Sequence, residues 1–138
     1  MARTRNDIGI GVIGIGKIGV QRARLAALHP AVDFLAVMDL DRQRAEAVGR
    51  EVEADLVAET MEELVSDDRI DAVVISTAEP FHTEPALAAI GAGKPVLIEK
   101  PLAMTLDDAN RIVAASKAEG VDVRVGYSMR YLQKYSVG

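Results

Sequence analysis

Gly14, Gly16 and Gly19 have the spacing Gly-x-Gly-x-x-Gly, which can expose backbone N–H groups to a phosphate. In such a loop the first glycine permits a tight turn and the second lets the backbone approach a pyrophosphate. The third lets the following helix pack closely on the preceding strand. We predict that these glycines, with Lys17 and Ile18 between them, contact a dinucleotide cofactor. Because glycines cluster in many turns, this prediction depends on the elements around the loop.

The elements that the loop requires are present on both sides of it. Ile8–Ile13 is an apolar run typical of a buried strand, and Lys17–Leu28 has the pattern of a helix. The N-terminus of that helix would direct N–H groups and positive dipole at the phosphates. Asp39 ends the next apolar run, about 20 residues after Gly19, where a carboxylate accepts hydrogen bonds from ribose hydroxyls. The pattern favours dinucleotide binding; the alternative is a tight βαβ unit with no ligand.

Two residues bear on the choice between NAD and NADP. Asp39 favours NAD, because its charge repels a 2′-phosphate while it accepts a hydrogen bond from a free 2′-hydroxyl. Arg42, three residues later, is the feature that could accommodate NADP. Its alternative role is a solvated residue in the first turn of a helix. NAD is therefore the expected cofactor, with NADP as the less favoured choice.

A second chemical feature is the segment Glu99-Lys100-Pro101, which follows the apolar run Val96–Ile98. A lysine at a strand end can donate a hydrogen bond to a substrate hydroxyl or carbonyl, and burial would favour its neutral form for acid–base work. On position alone, an exposed lysine without a catalytic role is the simpler interpretation.

Strand and helix patterns alternate along the whole chain, which predicts a parallel sheet covered on both faces. The fold class is thus α/β, a single doubly wound domain with ligand at the carboxyl ends of its strands. Predicted strands are Ile8–Ile13, Asp33–Met38, Leu56–Val57, Asp71–Ser76, Pro95–Glu99 and Val121–Val125. Predicted helices are Lys17–Leu28, Arg42–Glu51, Met61–Val65, Pro80–Ala92 and Leu106–Glu119.

Composition narrows the function classes. The 138 residues suit one domain, and the net charge of −5 argues against nucleic acid or an anionic membrane as a partner. The absence of cysteine excludes disulfides and thiolate chemistry. The acidic pairs in the chain do not have metal-site spacing, so we expect no metal. Without a secretory or membrane-spanning segment, cytoplasmic residence is the default expectation.

Four segments together resemble one family of enzymes. They are Thr77–His82, Ala88–Val96, Glu99–Ala103 and Val125–Tyr131. In this order they are similar to the Gfo/Idh/MocA oxidoreductases, the glucose–fructose oxidoreductase and inositol dehydrogenase family, over nearly the whole chain. The resemblance implies a Rossmann domain over residues 1–128, with residues 129–138 starting the crossover to a second α/β substrate domain that the chain lacks.

The family's activity gives each segment an expected role. Its members perform NAD(P)-dependent oxidation or reduction at a hydroxyl-bearing carbon of sugars, cyclitols or related polyols. By resemblance, Lys100 is the active-site lysine that bonds the reacting oxygen and assists proton transfer. The Lys100–Pro101 peptide is expected to be cis, and Glu99 lies on the nicotinamide side of the cofactor.

The remaining implied cofactor contacts are Thr77, Ala78, His82 and Arg130. For His82 the alternative is a surface residue at a helix N-terminus, and for Arg130 it is an ion pair at the domain junction. Relatives commonly carry Pro-Asn where this chain has Ala78-Glu79. An ionised Glu79 could accept but not donate a hydrogen bond there.

Because the substrate domain is lacking, a second function class stays open. The chain could be a non-catalytic dinucleotide-binding or sensing module that acts through a partner protein. In the enzyme interpretation, the substrate is a polyol or sugar and homo-oligomers form through the absent domain.

Overall fold

The computed structural model describes residues 7–127 and contains a six-stranded sheet in the order β3-β2-β1-β4-β5-β6. The strands are β1 (Ile8–Ile13), β2 (Val32–Met38), β3 (Leu56–Val57), β4 (Ala72–Ile75), β5 (Val96–Glu99) and β6 (Val123–Gly126). All neighbouring strands are parallel. The chain order reverses between β1 and β4, and this switch point is where doubly wound sheets bind ligands. The predicted fold class is confirmed.

The register brings the carboxyl ends of the central strands together. Ile13 of β1 lies beside Met38 of β2 and Ile75 of β4. Ile75 in turn lies beside Ile98 of β5. The loops that follow these strands therefore meet at one edge of the sheet, which we call the ligand edge.

Three of the five helices between residues 7 and 127 begin after a residue whose side chain caps them. They are α1 (Lys17–Leu28), α2 (Arg42–Glu51), α3 (Met61–Ser66), α4 (Thr83–Gly91) and α5 (Leu106–Glu119). The side chains of Asp41, Thr60 and Thr105 accept N–H groups in the first turns of α2, α3 and α5. Gly120 ends α5 in the left-handed conformation, with φ 64°. Within residues 7–127, none of the helices has both the length and the apolar character needed to cross a membrane.

The start of α4 differs from the sequence prediction, which placed it at Pro80. A 3₁₀ turn occupies Glu79–Phe81, and α4 begins only at Thr83. The reason is Pro85, which has no N–H to donate to the carbonyl of Phe81. That carbonyl accepts instead from Thr77 Oγ1 at 3.0 Å. Other element ends differ from the predictions by one or two residues.

Buried apolar side chains form one cluster on each face of the sheet. Val12 and Ile13 are adjacent in β1 and contribute to opposite clusters. On one face α1 and α2 add residues such as Ala23, whereas α4 and α5 add residues such as Ile90 and Ile112 on the other. Burial on both faces explains why the strands are apolar throughout rather than alternating.

Candidate functional site

A cavity of about 800 Å³ opens at the ligand edge of the sheet. Its walls include Gly14, Asp39 and Thr77, which follow β1, β2 and β4. The other lining residues are Ile13, Gly16, Met38, Leu40, Arg44, Glu59, Thr60, Met61, Glu62, Ala78, Pro80, Phe81, Thr83, Glu84, Pro85, Asp108 and Arg111. This volume lies within the range of small-molecule and cofactor sites.

The three loop glycines are required for different reasons. Gly14 has φ 89°, and a Cβ atom there would lie 2.5 Å from the backbone nitrogen of Thr77. A Cβ atom at Gly19 would lie 1.8 Å from the carbonyl oxygen of Gly14. At Gly16 a Cβ atom would meet no protein atom within 4 Å. The first and third glycines are thus needed by the fold, whereas the second leaves open space on the cavity wall.

The N-terminus of α1 meets the same wall. The first α-helical hydrogen bond runs from Val20 N–H to Gly16 O at 2.9 Å. The N–H groups of Lys17, Ile18 and Gly19 therefore lie outside the helical ladder, where they suit an anion. Lys17 and Ile18 have exposed side chains and are not lining residues of the cavity, so their predicted contact with a cofactor is best supported for their backbone N–H groups.

Asp39 is tied to the glycine loop. Its Oδ2 accepts the N–H of Ile15 at 2.7 Å and its Oδ1 accepts the N–H of Asp41 at 2.8 Å. Only 11 % of the side chain is exposed. Since each carboxylate oxygen has two lone pairs, both retain capacity for ribose hydroxyls. The carboxylate is therefore oriented by the chain itself.

Arg42 makes its contacts with α2 and with the end of β3 rather than with this carboxylate. Its Nη1 donates to the carbonyl oxygens of Val57 and Ala58 at 3.3 and 3.2 Å, and its Nε donates to Glu46 at 3.1 Å. The side chain does not line the cavity. Arg42 is the first residue of α2 and 44 % of its side chain is exposed, which agrees with the alternative of a solvated residue in the first turn. Its hydrogen bonds also join α2 to the end of β3. Its role toward NADP stays a prediction that this placement does not favour.

Arg44 is the arginine of α2 that lines the cavity, and the sequence analysis missed it. Its Nη1 lies 3.6 Å from Asp39 Oδ2, and its Nη2 lies 3.6 Å from Asp41 Oδ2. The available signal was helical spacing, since Arg44 follows the capping residue Asp41 by three positions and shares its side of the helix.

Acidic groups predominate around the cavity. The lining carries five carboxylates and two guanidinium groups, so its formal charge is −3 and opposes added phosphate. The second guanidinium, Arg111, bonds Asp108 at 3.0 Å and Glu84 at 3.4 Å. The hydrogen bond to Asp108 raises the pKa of Arg111 above its ordinary value. Among the lining residues, Arg44 is therefore the cation beside Asp39.

His82 joins the loops that follow β4 and β5. The side chain is 1 % exposed, with Nδ1 2.8 Å from the carbonyl oxygen of Pro101 and Nε2 3.0 Å from that of Thr77. The alternative of a surface residue is wrong. Both ring nitrogens face backbone, so contact with a cofactor stays a prediction. Thr77 and Ala78 do line the cavity, as their assignment requires.

Glu99 and Lys100 point into different surroundings. Glu99, 14 % exposed, accepts from Nε and Nη2 of Arg22 on α1 at 2.7 and 2.5 Å. The Lys100 side chain is 65 % exposed, and its Nζ lies 3.9 Å from Glu79 Oε1. Neither residue lines the cavity. The Lys100–Pro101 peptide is cis, as expected.

Two further predictions concern Arg130 and the binding of a metal ion. Arg130, and with it residues 129–138, lies outside the described residues. Over residues 7–127 there is no group of three or more His, Cys, Asp or Glu side chains that could hold a metal ion.

Known proteins match the chain over most of its length. The model of the Gfo/Idh/MocA family, described as an oxidoreductase family with an NAD-binding Rossmann fold, matches residues 8–127. The chain is 42 % identical over 134 residues to an inositol 2-dehydrogenase of Acidothermus cellulolyticus. It is 38 % identical over 120 residues to a 1,5-anhydro-D-fructose reductase of Ensifer adhaerens.

A solved structure gives the same result at the level of the fold. The myo-inositol dehydrogenase of Lactobacillus casei, in complex with NAD(H) and myo-inositol, superposes with a TM-score of 0.82 at 33 % identity. These alignments cover 96 %, 87 % and 91 % of this chain but 39 %, 36 % and 38 % of the three relatives. The chain thus spans less than two fifths of the length of these relatives.

Proposed function

The chain belongs to the Gfo/Idh/MocA oxidoreductase family, and on that premise we propose that it is the cofactor-binding part of an NAD-dependent dehydrogenase of polyols or sugars. When bound, the nicotinamide supplies hydride acceptance from, or donation to, a hydroxyl-bearing substrate carbon. The residues of this chain hold the dinucleotide and manage the proton of the substrate oxygen. The relatives' names support this class of substrate.

The observation that carries the proposal is the open space at Gly16 beside the N-terminus of α1. A pyrophosphate fits there, because N–H groups of the first turn surround a position where a side chain would stand in its way. Asp39 would accept hydrogen bonds from the hydroxyls of the adenosine ribose. Thr77 and Ala78 would lie beside the part of the cofactor that leads to the nicotinamide. The positive end of the α1 helix dipole lies at this point and offsets the negative charge of the acidic residues that line the cavity.

Lys100 supplies the acid–base group in this proposal. It stands directly after β5 at the ligand edge, and its exposed ammonium is free to meet a substrate above the sheet. When the substrate hydroxyl is oxidised to a carbonyl, Lys100 would form a hydrogen bond with the oxygen. The neutral form of the lysine would take up the proton that the hydroxyl loses. Glu79, 3.9 Å away, is the carboxylate nearest to share that proton.

The rival function is a non-catalytic dinucleotide-binding or sensing module. It would use the same glycine loop and Asp39 but would not need Lys100. Two relatives of the chain carry the names of a dehydrogenase and a reductase, which favours the enzyme. No feature of residues 7–127 specifically favours the sensing module.

Calorimetric titration of the chain with NAD tests the cofactor part of the proposal. We expect saturable one-to-one binding, and absence of heat on folded protein would overturn it. For the catalytic part, Lys100→Ala in a form of the protein that oxidises a polyol should lower kcat far more than it raises the Kd of NAD. Unchanged turnover would remove Lys100 from the reaction and favour the sensing module.

A further inference from the structure

We propose that Arg44, rather than Arg42, determines how strongly the site discriminates between NAD and NADP. The inference rests on the proposed dinucleotide binding and assigns the residue that meets the 2′ position of the adenosine ribose. In this assignment Arg44 screens the charge of Asp39 and offers its own donors to a 2′-phosphate. The domain then prefers NAD but retains measurable affinity for NADP.

The geometry around Asp39 supports a screening role. Arg44 lies 3.6 Å from both Asp39 Oδ2 and Asp41 Oδ2, close enough for strong Coulomb attraction. These distances exceed those of direct hydrogen bonds, which are about 2.7–3.2 Å for N–H···O. The carboxylates therefore attract Arg44 without the direct bonds that would hold its donors. With 49 % of its side chain exposed, Arg44 can turn toward a ligand in the cavity.

The other arginine in the first turn of α2 and the other arginine of the cavity lining have partners of their own. Arg42 donates to the carbonyls of Val57 and Ala58, away from the cavity. Arg111 lines the cavity but bonds Asp108 and Glu84. In a lining of net charge −3, removal of Arg44 would leave the 2′ position facing Asp39 without a compensating charge.

The test compares Arg44→Gln with the matched control Arg42→Gln, which removes the same charge from the same helix. Calorimetry gives the Kd of each variant for NAD and for NADP, and thermal unfolding checks that each is folded. In Arg44→Gln we expect the Kd of NADP to rise about tenfold, the loss expected for one charge-assisted hydrogen bond. The Kd of NAD should change less than about threefold, because its 2′-hydroxyl bonds Asp39.

A second readout separates contact from general destabilisation. The ³¹P resonance of the NADP 2′-phosphate should shift on binding to the wild type and to Arg42→Gln, and shift much less with Arg44→Gln. The ratio of the two Kd values in Arg42→Gln should stay at its wild-type value. An unchanged ratio in Arg44→Gln, or an equal change in both variants, would overturn the assignment. If the wild type binds neither cofactor, the proposed function itself fails.

Discussion

The two ends of the ligand edge are built differently. At the end formed by β1 and β2, Asp39 is nearly buried and accepts two backbone N–H groups, so its carboxylate has one orientation. At the end formed by β5, Lys100 is 65 % exposed and has one ionic neighbour at 3.9 Å. Both side chains follow a strand directly, yet only one of them is held in place.

The difference lies in what the chain fixes at the two ends. Around Lys100 the fixed parts are neighbours: His82 bonds the carbonyl of Pro101, and Glu99 pairs with Arg22. The backbone is thereby positioned while the ammonium stays in solvent. Binding groups must be preorganised to give affinity, and catalytic groups must be held once substrate is present. The end formed by β1 and β2, which we call the adenosine end, is thus organised more completely than the end formed by β5, which we call the reactive end.

Gly19→Ala should break the adenosine end most severely. The added Cβ atom would lie 1.8 Å from the carbonyl oxygen of Gly14, so α1 must move away from β1. We expect a loss of about 3 kcal/mol or more in the free energy of unfolding, because backbone rather than a flexible side chain is in the way. Urea unfolding measures it. Gly91→Ala is the control, since a Cβ atom there meets nothing within 4 Å.

Substitution of His82 tests the support of the reactive end. His82→Phe keeps an aromatic ring but removes the ring N–H that donates to one of the two facing carbonyls, those of Thr77 and Pro101. The free energy of unfolding should fall by about 2 kcal/mol, the cost of an unsatisfied buried acceptor. The exposed His29 provides the control, and His29→Phe should change it by less than about 0.5 kcal/mol. Equal effects in both variants would contradict a supporting role for His82.

At the adenosine end, Gly16→Val distinguishes an effect on cofactor binding from an effect on the stability of the fold. A Cβ atom at Gly16 meets no protein atom within 4 Å, so the unfolding midpoint in urea should fall only by the small cost of valine at the N-cap of α1. The same side chain would occupy the space proposed for the pyrophosphate, and the Kd of NAD should rise about tenfold or more. Titration and unfolding of one sample measure both. Undiminished affinity would place the pyrophosphate elsewhere.

Features set by neighbours in sequence were the ones that sequence alone could predict. The glycine loop and Asp39 follow from hydrophobic periodicity and from residue spacing along the chain. Because the glycine loop and Asp39 each come directly after a predicted strand, their positions in the sequence predict that they lie at the ligand edge.

Contacts that depend on side-chain direction were not predictable in the same way. Arg42 and Arg44 have the same charge and lie two residues apart on α2. Their side chains leave the helix in different directions, so Arg42 bonds the carbonyl of Ala58 whereas Arg44 lines the cavity. The pair Arg22–Glu99 joins residues 77 positions apart. The burial of His82 depends on the start of α4 at Thr83 rather than at Pro80. Pro85, three residues after His82, accounts for that later start.

Lys100→Met should have the smallest effect, and it tests the comparison most directly. The variant removes the ammonium but keeps a flexible apolar chain of similar length. Since Lys100 is exposed and its one ionic contact is long, the free energy of unfolding should change by less than about 0.5 kcal/mol. The Kd of NAD should stay within about twofold of the wild type, because the groups proposed to hold the pyrophosphate and the adenosine ribose follow β1 and β2.

The matched variant for Lys100→Met is Glu79→Gln, which removes the partner charge instead. If the ammonium is truly unheld in this chain, both variants should leave stability and NAD affinity unchanged, alone and together. A large loss of NAD affinity in Lys100→Met but not in Glu79→Gln would mean that Lys100 binds the cofactor directly. The reactive end would then be organised by the same ligand that orders the adenosine end, and the contrast between them would disappear on binding.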